Sequence, residues 1–484
     1  MQTLTPLMPH QHTAVAKMLP TRVGALFMQI GTGKTRTTIE IAKIREKKYD
    51  RLFWFCPVSL KQTIAQEWRK HTDVAEEMVK VWDDKVSTTN LPTQATIHII
   101  GIESMSSSAR VILAYRAMVT DQSFVIVDES SYIKGYSSQR TERITAFSEI
   151  AKYRLILTGT PFTQGAVDLY AQMSFLSKKI LGYSSFYSFA ANHLEYEVRE
   201  NEYGHKVQTG RIVHTHNTDY LAAKIAPYVY QVSKEECLDL PEKLYETRYF
   251  EMTNAQYDYY QQAKQEILLD LDYEDWSSVA IFHLFTSLQA IVCGFWTRTV
   301  PKTLEKQHLT FRHRRVNLLM STIESIPESE QIIIWSKYHH AIDEIKVAVE
   351  KQYGSGSYAE FHGTVTQKDR NDQLAHWQTG DSRFLIATQS AGGHGFTWNN
   401  AAYSIFYADG YKYSERDQAE GRNHRIGQTR KPTYISLCCA GSIDERISNA
   451  LYRKENALAN FQRSVNKYRK DALKDMALKL VKDL

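Results

Sequence analysis

Nine short runs rich in β-branched and aromatic residues punctuate this chain, and they fall into two blocks. The first block holds "RLFWFC" (51–56), "TIHIIG" (96–101), "SFVIVDES" (123–130) and "YRLILTGTP" (153–161). The second holds "QIIIWSK" (331–337), "SYAEFHG" (357–363), "SRFLIATQ" (382–389), "YSIFYAD" (403–409) and "PTYISLCC" (432–439). Each run is almost continuously apolar, and stretches of helical period separate it from the next. A strand with one wet face alternates apolar and polar residues. A strand without that alternation is buried on both faces, as in a parallel sheet covered by helices. Two such blocks predict an α/β fold of two parallel-sheet domains in tandem, which the 484 residues are enough to build.

Residues 165–320 have a different rhythm. "YDYYQQAKQEILLDL" and "SSVAIFHLFTSLQAIV" read as helices, and 194–216 alternates like a hairpin around the turn "NEYG". The expected division is a first domain over 1–235, with an insertion at about 165–230, and a helical linking segment over 236–320. A second domain follows over 321–450, then a basic C-terminal helix over 451–484. That last stretch carries nine basic and four acidic residues, with Phe461, Val465, Tyr468, Ala472 and Met476 on one helical face. It reads either as a packed helix with a solvated basic side or as a helix that touches DNA.

Bulk composition excludes little. A formal charge of +5 permits a nucleic-acid partner without arguing for one. The five cysteines form no CxxC pair, so free thiols in a reducing compartment are expected rather than a zinc site. No apolar run reaches the roughly 18–20 residues of a membrane span, and the start lacks a signal-peptide layout. A soluble, cytoplasmic monomer is expected.

The chemistry-bearing residues begin at "LFMQIGTGKTRTTIEIA" (26–42), a short apolar segment running into an amphipathic helix. Gly31 and Gly33 let the backbone wrap closely, so that N–H groups of the loop, including Thr32, and the helix N-terminus can face an anion. Lys34 would reach the β/γ-phosphates and Thr35 would bind Mg²⁺, although Met28 stands where the usual pattern has its first glycine. "FVIVDESSYIKG" supplies the companion: a buried strand ending in Asp128-Glu129. One carboxylate can serve the metal while the next orients and polarises a water. Followed by "LILTGTP", the pair reads as part of a nucleotide hydrolase using ATP and Mg²⁺.

The second block has no such glycine–lysine loop, but it carries "SAGGHGF" and "QAEGRNHRIGQ". Gln418, Arg422 and Arg425 lie at three- and four-residue spacing, which on a helix is one face. A face so charged is not expected in a core. Arg422 and Arg425 make best sense as groups offered to a γ-phosphate held by the first block, which can raise the rate about 10³–10⁵-fold. Gln418 and Gly395 are placed in the same nucleotide site.

With these motifs in order, the chain resembles a superfamily-two helicase motor of the Swi/Snf-type branch. "LMPHQ" (7–11) resembles its adenine-reading element, with Gln11 in the glutamine position. "CPVSLKQTIAQEW" resembles motif Ia, "VDESSYIKG" motif II, and "LTGTPFTQGAVDLYAQMSFL" motif III with its extension. "IIIWSKY" and "EFHGTVTQKDR" resemble motif IV and the segment after it, "ATQSAGGHGF" motif V and "QAEGRNHRIGQ" motif VI. "LDLPEKLYETRYFEMTNAQ" resembles the inter-domain segment. Motif II ends in Ser130-Ser131 where the branch has Ala-His, motif V reads "GFTW" for "GINL", and "YADGYKYS" lacks Trp-Asn-Pro. The likeness spans about residues 5–450 and implies two RecA-like domains, in a nearly bare motor of the size seen in bacteriophage members.

It also implies a duplex-tracking nucleic-acid groove, with Ser59, Lys61 and Ser104 in the first domain and Lys337, Arg370 and Ser390 in the second. Strand separation would need a wedge, for which the 194–216 hairpin offers Tyr196, Tyr203 and His205 as stacking groups. The expectation is an ATP-dependent DNA translocase or helicase working on forked or branched DNA in replication, recombination or repair. A duplex remodeller without strand separation, an RNA helicase and a nucleotide-gated DNA-binding switch stay open.

Overall fold

A computed structural model describes residues 1–159, 166–200, 205–270, 278–299, 306–392 and 397–455. Tyr203, Gly395 and the basic stretch from 456 onward lie outside the described residues. The chain divides into two compact units, Met1–Asp239 and Leu240–Leu484.

In the first unit, the strands are β1 (Val23–Met28), β2 (Leu52–Cys56), β3 (Val79–Val81), β4 (Ile97–Gly101), β5 (Phe124–Asp128) and β6 (Tyr153–Thr158), then β7 (Leu194–Glu200), β8 (Lys206–Thr215) and β9 (Val229–Val232). Seven of them form one sheet in the order β3-β4-β2-β5-β6-β1-β9, parallel throughout, while β7 and β8 pair as a separate antiparallel hairpin. Alternate residues of each central strand feed two different cores. Phe53, Phe55, Val125, Val127 and Ile156 pack on one face; Leu52, Trp54, Phe124, Ile126 and Leu157 pack on the other. Burial on both faces is why these strands read as unbroken apolar runs.

The second unit adds β10 (Leu244–Phe250), β11 (Phe295–Thr299), β12 (Lys306–Thr310), β13 (Ile332–Ser336), β14 (Tyr358–Phe361), β15 (Phe384–Ala387), β16 (Tyr403–Ala408) and β17 (Thr433–Cys439). Its sheet runs β10-β17-β16-β13-β15-β14, again parallel, and β11–β12 is a hairpin. Ile332, Ile334 and Ile386 pack on one face and Ile333, Trp335 and Leu385 on the other.

The segment 236–320 corrects the expectation of a helical link. It opens with β10, paired along its whole length with β17 (Leu244↔Thr433 to Phe250↔Cys439), and it contains the β11–β12 hairpin. Its helices Asn254–Asp270 and Ser278–Val292 share a core with Phe250, Cys439 and the helix Ile443–Tyr452. β10 escaped notice because it is an edge strand. Leu244, Tyr245, Glu246 and Thr247 are all exposed, so no apolar run marks it. All five cysteines are free. Among the described residues no helix is long and apolar enough to cross a membrane, and no cluster of three metal-ligating side chains occurs.

Candidate functional site

β1 delivers the chain into a tight loop whose shape is set by two glycines in the left-handed region, Gly31 (φ 90°) and Gly33 (φ 83°). Gly33 caps the helix Lys34–Ile44 without any side-chain hydrogen bond, so the first-turn N–H groups are not taken up by a capping residue. The φ of Gly33 is one that a residue with a side chain rarely adopts, and a Cβ there would stand 2.1 Å from Nε2 of Gln11 and displace that amide. Gln11 is buried in the helix Pro9–Met18. Its Nε2 donates to the carbonyls of Thr32 (3.3 Å) and Gly33 (3.5 Å), and its Oε1 accepts from the Met8 N–H (2.9 Å). His10 Nε2 lies 2.8 Å from the same Thr32 carbonyl, so this helix clamps the loop from outside. Lys34 Nζ donates back to the carbonyls of Met28 (2.8 Å) and Gln29 (3.4 Å). A Cβ on Gly159, just beyond β6, would sit 3.5 Å from that amine, so the start of the "TGTP" motif passes beside the lysine.

The acidic pair straddles the end of β5: Asp128 is its last residue, in register with Leu157 of β6, and Glu129 follows it. Asp128 is 6% exposed. It accepts hydrogen bonds from the Glu129 N–H (3.0 Å) and from Trp54 Nε1 (3.4 Å) on the neighbouring β2. Burial, and then the adjacent Glu129 charge, push its carboxyl up to about 7 against the pull of Lys34. Glu129 has φ 53° and ψ 61°, a left-handed conformation rare for a residue with a side chain. Thr35 Oγ1 and Asp128 are hard oxygen donors of the kind Mg²⁺ takes, and a cation beside Asp128 would offset its burial penalty. The residues fit a magnesium–nucleotide complex.

The arginine-rich stretch departs from expectation. The helix Tyr413–Glu420 carries Gln418 but stops at Gly421, so Arg422 and Arg425 stand in turns and share no helical face with it. Nor is the stretch wholly outside the core. Arg422, Asn423 and His424 are buried, while Arg425 is half-buried with Nη1 on Thr397 Oγ1 (3.1 Å). Tyr434 donates to Asn423 Oδ1 (2.9 Å) and Gln428 donates to the carbonyls of Asn399 (3.1 Å) and Ala401 (3.2 Å), which folds the turn onto the sheet. Arg416 is a structural arginine that local spacing does not single out. Its Nη1 meets both Asp409 oxygens at 2.9 Å, its Nε meets Glu420 at 2.9 Å, and its guanidinium carbon sits 3.3 Å over the Phe406 ring.

Three of the six groove residues gather at one end of the first sheet. Ser59 lies in the turn Val58–Leu60 after β2, and Ser104 opens the helix Ser104–Ser107 after β4. A Cβ on Gly101 would touch Val58 (2.5 Å) and Ser104 Oγ (3.5 Å), so the two turns abut across that glycine. Lys61 Nζ is tied to the Trp82 carbonyl (2.7 Å). In the second unit, Lys337 and Ser390 line one cavity of about 210 Å³ with Phe282, Gln389 and Tyr411, and Arg370 is not among its lining residues. The Lys337 amine sits 3.2 Å over the Tyr411 ring, and burial lowers its pKa to about 7. Phe282 arrives from the helix Ser278–Val292, more than fifty residues away, which no local pattern could reveal.

The hairpin is present as β7–β8, but Tyr196 packs partly buried against the first unit's core. It lies between two register irregularities of β7 and next to the buried Glu197, so simple alternation does not set its facing. His205 is exposed.

The model of the SNF2-related domain matches residues 10–294, and that of the helicase conserved C-terminal domain matches residues 314–427. The chain belongs to the SNF2-related family. Its SNF2-related match runs on through the helices that pack in the second unit. Chromodomain-helicase-DNA-binding protein 1-like of Danio rerio is 23% identical over 436 residues, covering 87% of this chain and 40% of that protein. DNA annealing helicase and endonuclease ZRANB3 of Bos taurus is 23% identical over 434 residues, covering 88% and 38%. The chain thus spans about two fifths of the length of these curated relatives. In fold, this SNF2-related chain is similar to the Hef helicase domain of Pyrococcus furiosus, with a TM-score of 0.54 at 13% identity, covering 91% of this chain and 96% of that one.

Proposed function

We propose that the chain is an ATP-driven DNA translocase that acts on duplex, forked or branched DNA and separates strands there. The observation that carries the reading is the first unit's loop, where Gly33, Lys34 and Thr35 open a helix beside the buried Asp128 and the left-handed Glu129. Lys34 and the first-turn N–H groups bind the β/γ-phosphates, and Gln11 holds the loop that receives them. Thr35 and Asp128 hold Mg²⁺, which when bound neutralises phosphate charge. Glu129 orients and polarises the attacking water. Arg422 and Arg425, with Gln418 and Gly395, serve the same nucleotide from the second unit, where the arginines offset charge that develops during transfer.

DNA backbone contacts are assigned to Ser59, Lys61 and Ser104 in the first unit and to Lys337, Arg370 and Ser390 in the second. The hairpin β7–β8 is the strand-separating element, with Tyr196, Tyr203 and His205 as its stacking groups. The names of the relatives, an annealing helicase and a DNA-binding helicase, favour DNA over RNA. ATPase rates with duplex, single-stranded, forked and four-way-junction DNA and with RNA test the proposal. Forked and junction DNA should stimulate most. Equal rates with and without any DNA would leave the nucleotide-gated switch, and stimulation by RNA alone would leave an RNA helicase.

A further inference from the structure

Glu129 is linked on its C-terminal side to a buried polar pair. Ser130 and Gln172 are both 0% exposed, and Ser130 Oγ lies 2.6 Å from Gln172 Oε1. Gln172 belongs to the helix Ala166–Leu176, and its Nε2 donates to the Asp168 carbonyl one turn back (2.9 Å). That carbonyl can only accept, so the amide nitrogen must face it and the amide oxygen must face Ser130. The hydroxyl is therefore the donor, and the bond has one direction. The glutamine is fastened to its own helix at one end of the amide and to Ser130 at the other.

Glu129 sits between two anchors. Before it, Asp128 is locked into the sheet by pairing with Leu157 of β6. After it, Ser130 starts the short turn Ser130–Ile133, and the Glu129 carbonyl accepts from the Tyr132 N–H (2.9 Å). The left-handed backbone of Glu129 persists only where its surroundings hold it. The sheet fixes one side; the Ser130 hydroxyl, held by Gln172, fixes the other. If Ser130 shifts, the Glu129 peptide rotates and its carboxylate is re-aimed. The Ser130 hydroxyl, fully buried, is satisfied by the Gln172 amide oxygen, which a packing role alone would not require.

We propose that Ser130 and Gln172 are a positioning pair that sets the aim of the Glu129 carboxylate from the helix Ala166–Leu176. The pair thus couples that helix to water activation. This rests on the reading of Glu129 as the water-polarising group.

The test is a double-mutant cycle on the full chain with Ser130→Ala and Gln172→Met, followed by single-turnover hydrolysis, ATP affinity and thermal midpoint. Each single change should slow hydrolysis about 10–100-fold, the cost of a small misplacement of a reacting group, while ATP affinity stays within about twofold. The double variant should be no slower than the slower single one, because both remove the same bond. Ser130→Thr, which keeps the hydroxyl, should restore most of the rate. Hydrolysis at the parental rate in either single variant overturns the pair, and so do multiplicative losses in the double variant or a parallel loss of ATP affinity. Glu129→Gln is measured alongside. Normal turnover there would refute the role of Glu129 itself, whereas an inactive Glu129→Gln with a fully active Ser130→Ala refutes only the pair.

Discussion

At the end of β5 the buried carboxylate of Asp128 accepts N–H donors from Trp54 and Glu129 and is pushed up to about 7, whereas beyond β16 the carboxylate of Asp409 receives Arg416 at 2.9 Å on both oxygens. The next acidic residue in that second cluster, Glu420, takes Arg416, Lys243 (2.8 Å) and the Tyr245 hydroxyl (2.8 Å). Burial opposes its charge, yet Arg416 and Lys243 hold it below the usual carboxylate range. The two parallel sheets therefore treat charge differently. The second unit closes its ions on one another and so fixes a turn; the first leaves an ill-compensated carboxylate, a strained glutamate and a glycine cradle side by side. Charge satisfied internally holds structure, and charge left to a ligand marks a site.

The largest expected effects test the first half of that contrast. Lys34→Ala should abolish ATP turnover, with a loss of about 10²–10³-fold or more, and leave the thermal midpoint and salt-sensitive DNA binding intact. Glu129→Gln should bind ATP and hydrolyse almost none, because Asp128, the proposed metal ligand, is kept. Steady-state rates set beside nucleotide affinity check both. If Lys34→Ala unfolds the first unit instead, the loop is structural and the contrast fails.

Next in size is the distinction among arginines within sixteen residues. Arg422→Ala and Arg425→Ala should each cut turnover about 10³-fold with little change in ATP affinity. Arg416→Ala should instead destabilise the second unit by about 3–5 kcal/mol, since it leaves Asp409 and Glu420 buried without their partner. Chemical denaturation and ATPase rates on the three variants separate the classes. An Arg425→Ala protein with parental DNA-stimulated turnover would reduce Arg425 to a surface contact with Thr397.

These arginines also mark how far the sequence could be read. The parallel sheets were legible because strands such as β2 and β13 are buried on both faces, and the tight loop before the helix Lys34–Ile44 because Gly31 and Gly33 both take left-handed backbone there. The stretch "ERDQAEGRNHRIGQTR" was legible only as charged. Its local spacing suggested one helical face, whereas Gly421 ends the helix and long-range partners, Asp409 for Arg416 and Tyr434 for Asn423, decide which side chains are buried. β10 was missed for the same reason, since its place depends on what packs from elsewhere in the chain.

The hairpin extends the comparison to an element with no nucleotide chemistry. Replacing residues 197–209 by a short Gly-Ser turn keeps Tyr196 and Ile212, the residues packed on the core. DNA-stimulated ATPase should survive within about twofold, while unwinding of forked DNA should fall about tenfold, in line with about 1–3 kcal/mol per stacked base at a wedge. Strand-displacement assays decide it: unwinding at the parental rate makes β7–β8 mere scaffold, and loss of ATPase makes it part of the motor's core.

The smallest effect concerns a charge that belongs to neither class. Lys337 is closed in by Tyr411, Tyr338 and Phe282, and its amine meets Gln289 Oε1 at 3.5 Å. Burial lowers its pKa to about 7, although Cys293 and Glu415 pull it upward. Below that value the amine is an ammonium; above it the side chain is neutral, so the sign of the linkage is fixed. If Lys337 contacts a DNA phosphate, affinity should be greatest near pH 6 and fall by up to about tenfold by pH 8, as the charged fraction drops. Lys337→Arg, which stays charged across this range, should bind with no such slope. Lys337→Met should bind weakly at every pH. Affinities for one duplex measured at constant salt from pH 6 to 8 provide the check. Equal slopes in the parent and in Lys337→Arg would remove Lys337 from the groove and leave its amine as a buried partner of Tyr411 alone, a charge kept for packing as Arg416 is.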